Sequence, residues 1–177
     1  MQSISIRRIA FTGVVAALYA ALTLVIAPIA YGPVQFRLSE VLCILPFFYP
    51  ISALGLFIGC IFANLFSPYG VLDIVAGSIA SLLAALATMQ LGRLNRHVIT
   101  IKALACFPPV FINALIIGAV IAWSGTGGGE AFWLAFAVNG FQVGLGQFVV
   151  MYVAGLPLMI HLPKSRLFML LSEQYGS

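Results

Sequence analysis

The chain has 177 residues, 63% hydrophobic and 7% charged, with a mean hydropathy of +1.15 and a formal net charge of +4. Soluble domains carry about 25% charged residues, so the composition excludes a soluble globular protein and marks an integral membrane protein. The positive charge does not mark a nucleic-acid binder, because the basic residues edge apolar runs rather than forming a patch. Each crossing of a ~30 Å hydrocarbon layer needs about 20 residues. The length therefore suits one all-α membrane domain over 1–177, a compact bundle of six transmembrane helices, with no room for a soluble domain.

Arg7-Arg8 stand before an apolar stretch that begins at Ile9. The stretch is too long for the apolar core of a twin-arginine export signal and more spans follow, so it reads as a retained first helix, over 8–31. This span carries small residues at Gly13, Ala17 and Ala21, with a parallel row at Ala16 and Ala20. Small residues four apart let helices approach closely. Two uses are open: packing inside the bundle, or a groove for a helix of another chain.

Between charges, the uninterrupted runs are 9–36, 41–72, 74–92, 103–129 and 131–160. The second contains Pro46 and Pro50 around Phe47-Phe48-Tyr49, and proline removes a backbone donor and disfavours helix in the residue before it. It splits into spans over 38–49 and 51–66, followed by 71–92, 102–124 and 133–161. Charge favours this count of six. With both termini cytoplasmic, Arg7, Arg8, Arg93, Arg96, Lys102, Lys164 and Arg166 all fall inside and Arg37 alone outside, as the positive-inside rule requires. Five spans would put the basic termini on opposite sides.

The same topology places Arg37, Glu40, Asp73 and Glu130 near the outer face. Acidic residues weigh little in topology, so their clustering there calls for a local reason. The glycine-rich stretch Ser124-Gly125-Thr126-Gly127-Gly128-Gly129 reads as mobile, either a lid or a plain connection. Gly140 and Gly144 in the last span read as internal packing. Cys43, Cys60 and Cys106 lie inside apolar runs and read as small hydrophobes.

Catalytic and nucleotide-binding motifs are lacking. Gly127-Gly128-Gly129 has neither the spacing nor the Lys-Ser/Thr of a phosphate loop, and the sequence contains no H-E-x-x-H and no G-x-S-x-G. His97 and His161 fall on the cytoplasmic rim. The chain is expected to hydrolyse no ATP, to bind no metal and to need no cofactor of its own.

Polar groups gather instead in the outer half of the bundle: Gln35, Arg37 and Glu40 from the first loop, Asn64 and Asp73 around the next outer loop, and Asn139 with Gln142 early in the last span. The last two are three apart and share a helix face. Amides and carboxylates converging beside aromatics suit a planar, hydrogen-bonding ligand. Structural readings stand beside that one. Arg37 and Glu40 pair with each other, Asp73 after Ser67-Pro68-Tyr69-Gly70 caps a helix, or the amides join helices.

Tyr31-Gly32-Pro33-Val34-Gln35-Phe36-Arg37-Leu38-Ser39-Glu40, Gly59-Cys60-Ile61-Phe62-Ala63-Asn64, Ser67-Pro68-Tyr69-Gly70 and Asp73-Ile74-Val75-Ala76-Gly77-Ser78 resemble the QueT family. These are substrate-binding subunits of energy-coupling-factor transporters for queuosine precursors, which carry a 7-deazaguanine base. The motifs cover residues 7–92; beyond Lys102 the match rests on length and span pattern. The resemblance implies capture of the solute on the outer side of a bacterial cytoplasmic membrane and association with a transmembrane coupling subunit and two ATPase subunits that supply the ATP chemistry. It also implies a toppling motion that carries the occupied site toward the cytoplasm.

In such families an A-x-x-x-A pattern on the first helix meets the coupling subunit; Ala16 and Ala20 have that spacing, as do Ala17 and Ala21, with Gly13 one turn before. On this reading Glu40 or Asp73 accepts hydrogen bonds from the guanine-like N–H edge and Phe36 stacks on the ring. Gln35, Asn64, Asn139 or Gln142 meets the remaining groups, and Arg37 touches ligand or holds an acidic neighbour. Two alternatives are a capture subunit for another flat vitamin and a small intramembrane enzyme using Asp73 and Glu40 as an acid-base pair.

Overall fold

The computed structural model describes residues 6–32, 34–94, 97–165 and 168; Pro33, Arg96 and Arg166, named above, lie outside them. Among the described residues every regular element is helical. In order these are α1 (Ile6–Val25), α2 (Ala27–Ala30), a 3-10 helix (Leu38–Phe47), α3 (Ser52–Asn64), α4 (Gly70–Leu94), α5 (Ile99–Ala105), α6 (Phe107–Thr126) and α7 (Glu130–Val149). A π-helical segment (Val150–Gly155), α8 (Leu156–His161) and a 3-10 turn (Leu162–Lys164) follow.

Proline sets most of the breaks. It has no N–H for the helical ladder and its ring crowds the carbonyl four residues back, so in an α-helix it is favoured in the first turn. Pro46, expected to help split its run, lies instead inside the 3-10 helix. Pro28 sits in the first turn of α2, the pair Pro108-Pro109 opens α6, and Pro157 opens α8 after the π segment. The expected single helices over 8–31, 102–124 and 133–161 are accordingly broken at Ile26, at Cys106 and over Val150–Gly155.

Four helical stretches are long and apolar enough to cross a bilayer: Ile6–Val25, Gly70–Leu94, Ile99–Thr126 and Glu130–Lys164. The spans expected over 38–49 and 51–66 are shorter apolar helices of 10 and 13 residues. They are matched in reach all the same. A 3-10 helix rises about 2.0 Å per residue and an α-helix about 1.5 Å, so each covers roughly 20 Å.

Close contacts fix the directions. Thr12 meets Gly55 and Ala16 meets Gly59, so α1 and α3 run parallel. The 3-10 helix runs along α4 in the same sense, with Arg37 bonded to Asp73 and Phe47 against Gly92. Thr88 bonds the Ala105 carbonyl while Gly77 meets Ile117, which makes α4 antiparallel to α5 and α6. Gly118 against Gly140 and Ala114 against Gly144 make α6 and α7 antiparallel. The two ends of the described chain come together, where Tyr49 packs on both Phe11 and Phe168 at ring distances of 5.7 and 5.3 Å.

The main core lies between α1, the 3-10 helix, α3 and the C-terminal helices, with Tyr19, Ile44, Phe47, Leu56, Met151 and Met159 essentially sealed from solvent. A cavity of about 530 Å³ lined by Phe11, Leu18, Leu42, Leu45 and Phe168 opens at the Tyr49 end. It is apolar, and none of Gln35, Arg37, Glu40, Asn64 and Asp73 lines it.

Gly55 and Gly59 are four apart on α3 and let its backbone lie on α1: a Cβ at Gly59 would stand 2.7 Å from the Ala16 carbonyl oxygen, whereas one at Gly13 would meet nothing within 4 Å. Gly59→Ala must therefore separate the two helices, at the about 1–3 kcal/mol typical of overpacking. Thermal unfolding in detergent should show a lower midpoint for Gly59→Ala, and an unchanged or higher one for Gly13→Ala, which adds only helix propensity.

Candidate functional site

The loop between α2 and the 3-10 helix is drawn inward. Gln35 has φ +48, a left-handed conformation that costs a non-glycine residue roughly 1–2 kcal/mol. Its N–H bonds the Gly32 carbonyl at 3.0 Å. Val34 beside it lies so close to Gly146 of α7 that any Cβ there would collide with its carbonyl oxygen. This turn buries both Gln35 and Arg37, at 2% and 3% exposure.

Arg37 does not pair with Glu40. Its Nη2 meets Asp73 Oδ2 at 3.1 Å, its Nε donates to the Ala30 carbonyl at 3.4 Å, and the guanidinium lies 5.2 Å from the Tyr31 ring centre, within cation–π range. Burial lowers the pKa of a guanidinium, but Asp73, Tyr19, Cys60 and Glu40 nearby together outweigh it and the net shift is upward, so Arg37 is a fixed cation. Tyr31 in turn donates to the Ala63 carbonyl at 2.5 Å.

Asp73 is not the cap of α4. It lies within the first turn, and its Oδ2 accepts from Ser67 Oγ at 2.6 Å as well as from Arg37. Its Oδ1 is buried with no partner. Asn64 ends α3 and donates Nδ2 to the Asp73 carbonyl at 2.8 Å; a carbonyl oxygen can only accept, so this bond fixes the amide's orientation. Asn64 Oδ1 is thereby left buried and unpartnered. Both side chains stand against Gly77, where a Cβ would come within 2.6 Å of Asn64 Nδ2 and 2.8 Å of Asp73 Oδ1. Glycine keeps that notch open.

Glu40, 1% exposed, is satisfied from two sides: Tyr19 of α1 donates its hydroxyl to Oε1, and Cys43 donates Sγ to Oε2 at 3.1 Å. Thr23 and Ser39 share a hydrogen bond of 2.6 Å one turn away. The cysteines expected as plain hydrophobes belong in part to this polar network, since Cys60 accepts from Asn64 Nδ2 and Ser81 Oγ at 3.4 and 3.2 Å. Among the described residues no group of His, Cys, Asp and Glu has the grouping of a metal site.

Gln35, Arg37, Glu40, Asn64 and Asp73 are thus all buried; Arg37, Asp73 and Asn64 are joined by direct bonds, and Glu40 is bonded to Tyr19 and Cys43. Phe36 lies half-buried within the same loop. Asn139 and Gln142 are also half-buried, and Asn139 spends its amide on the Ala135 carbonyl of its own helix at 2.7 Å. On α7 the buried polar residue is Gln147, 3% exposed, with Oε1 unpartnered; Ser78 Oγ on α4 is likewise buried and unpartnered. Neither was expected. The signal for Gln147 was the row Val143, Gly146, Gln147 and Val150, one buried helix face.

Of the small residues on α1, Ala16 is buried against Gly59, Ala20 is half-buried, and Gly13, Ala17 and Ala21 are exposed. The stretch 124–126 is helical, and Gly127, Gly128 and Gly129, all at positive φ, make a tight turn into α7.

Residues 9–164 match the family described as the QueT transporter. A curated relative, the queuosine precursor transporter QueT of Lactococcus lactis subsp. cremoris (strain MG1363), is 38% identical over 71 residues, which cover 39% of this chain and 41% of that protein. The chain thus aligns with less than half of the relative's length. No solved structure matches. With most of its length in the family match, the chain belongs to the QueT transporter family.

Proposed function

We propose that this chain is the substrate-capture subunit of an energy-coupling-factor importer and that it binds a 7-deazaguanine queuosine precursor. The observation that carries this reading is the buried network around Asp73, whose Oδ1 and the neighbouring Asn64 Oδ1 accept nothing from the protein. Unpaired acceptors sealed from water are costly, by about 1–3 kcal/mol each, and a ligand with adjacent N–H groups relieves that cost. A guanine-type edge offers two such donors side by side.

The two carboxylates have different parts. Both oxygens of Glu40 already accept from the protein, so Glu40 holds Tyr19 and Cys43 in place. Asp73, with one oxygen spent on Arg37 and Ser67 and the other open, is the ligand's partner. Arg37 positions Asp73, and Phe36 supplies an aromatic face at the loop.

In the membrane, the four long apolar stretches and the two short helices make six crossings, with both termini cytoplasmic and the Asp73 network toward the outer face. Support comes from the alternating directions of these segments and from the charge distribution. ATP chemistry belongs to two ATPase subunits joined through a transmembrane coupling subunit, since this chain has no phosphate-binding loop. The coupling subunit meets α1. Ala16 is occupied by α3, which leaves the exposed row Gly13, Ala17 and Ala21, and a groove of about 320 Å³ lined by Arg8, Gly13, Ile51 and Leu54 runs beside it.

Calorimetric titration of the purified chain with 7-deazaguanine tests the site. Asp73→Asn should weaken binding about 10- to 100-fold, as expected for losing a hydrogen bond to a charged group, and Glu40→Gln by less. Wild-type affinity in both variants, each unfolding cooperatively, would sink the assignment.

Docking is tested separately by co-purification with the coupling and ATPase subunits. Ala17→Trp should abolish complex formation and leave ligand affinity unchanged, whereas Ala16→Trp should lower stability by forcing α1 from α3. Loss of ligand binding in Ala17→Trp would contradict an external role for that face.

A further inference from the structure

We infer that Gln147 of α7 is a further ligand-contacting residue, and that its carbonyl reads the pyrrole N–H of the deazaguanine base. The inference rests on the reading above and deepens it, since it concerns the same site.

Among the described residues five buried side-chain atoms lack a partner: Gln35 Nε2, Asn64 Oδ1, Asp73 Oδ1, Ser78 Oγ and Gln147 Oε1. Three of these can only accept, one can only donate, and the serine hydroxyl can do either. The site is therefore short of donors, and a ligand that completes it must be rich in N–H groups.

Two independent routes place Gln147 at this site. Through the interior, Ile117 of α6 lies against the Gly77 notch that holds Asn64 and Asp73, and it packs in one cluster with Val143 of α7. Gln147 is one turn beyond Val143 on the same buried face. Through the loop, Gly146 is covered by Val34; the next residue is Gln35, and Arg37 two further on is bonded to Asp73. Gln147 thus stands across Ile117 from the carboxylate wall.

The unpaired acceptors consequently form two walls, Asn64 with Asp73 on one and Gln147 on the other. A 7-deazaguanine carries donors on two edges to match, N1–H with the exocyclic amine on one and the pyrrole N9–H on the other. With Asp73 and Asn64 taking the first edge, Gln147 Oε1 takes N9–H. A nucleoside is glycosylated at that nitrogen and has no proton there, so the contact selects the free base. Gln35 Nε2, the unpaired donor, serves the ring's acceptors.

Titration of the full chain with 7-deazaguanine and its 9-methyl derivative tests this. Wild-type protein should bind the methylated base at least about tenfold more weakly, since a site built for an N–H rejects its absence. Gln147→Met, nearly isosteric and apolar, should bind 7-deazaguanine about tenfold or more weakly than wild type, with 9-methylation now making little difference. Its ligand-free unfolding midpoint should be unchanged or raised, because an unpaired buried oxygen has been removed.

Equal wild-type affinity for the two bases overturns the inference without any variant. So does a Gln147→Met protein that keeps both wild-type affinity and the methylation penalty, with the capture reading intact. Failure of wild type to bind either base removes the capture reading, and the Gln147 assignment falls with it.

Discussion

The buried ion pair between Arg37 and Asp73 is the constraint on which the rest of the structure depends. Both groups are essentially sealed from solvent. Taking two such charges out of water costs several kcal/mol per ion even in relaxed proteins, and their attraction offsets this only when further hydrogen bonds complete the geometry. Here Ala30, Ser67 and the Tyr31 ring complete it. One interaction joins the loop after α2 to the first turn of α4. Because that loop also carries Val34 onto Gly146, the same contact sets how α7 approaches the bundle. A pair of this kind is a poor source of net stability. Its effect is to specify one loop conformation, including the left-handed Gln35, which a purely apolar loop would have no reason to adopt.

A bundle that carries such a network must bring its backbones close around it, and the glycines do so. Gly55 and Gly59 seat α3 on α1, Gly92 seats α4 on the end of the 3-10 helix, and Gly118 faces Gly140. Without a hydrophobic driving force between helices in lipid, association relies on such close packing and on interhelical hydrogen bonds. The polar network supplies the second term between α1, the 3-10 helix, α3 and α4. The two terms are arranged side by side, since Gly59 and Cys60 are neighbours on α3.

Much of this was legible in the chain. Long apolar runs identify the helices, Pro50 stands in the break that divides the second run, and charged or amide residues in so apolar a sequence mark the candidate site. The failures have physical causes. Apolar content does not distinguish a 3-10 helix from an α-helix, so the sequence shows the short span over Leu38–Phe47 but not its 3-10 geometry. Proximity in sequence favoured an Arg37–Glu40 pair, yet the folded loop turns Arg37 to Asp73, 36 residues away. Spacing puts Asn139 and Gln142 on one face of α7 but does not say how deep that face lies. The structure leaves both half-buried and seals Gln147 on the row through Val143, Gly146 and Val150. On α1 two small-residue rows were equivalent by spacing, and only the glycines of α3 decide which row is buried.

The same network separates residues that hold the site from residues that await something. A buried polar group with all its partners is explained by folding alone, and Glu40 with Tyr19 and Cys43 is such a group. An unpaired buried acceptor is a cost that the fold leaves standing. Asp73 combines both conditions in one carboxylate, one oxygen anchored by Arg37 and Ser67 and the other open at the Gly77 notch. Anchoring fixes the position of the open oxygen, so a donor that met it would require little reorganisation. The placement of the loop cation follows from this. Arg37 spends Nη2 on Asp73 and Nε on the Ala30 carbonyl, and so fixes the carboxylate against the loop.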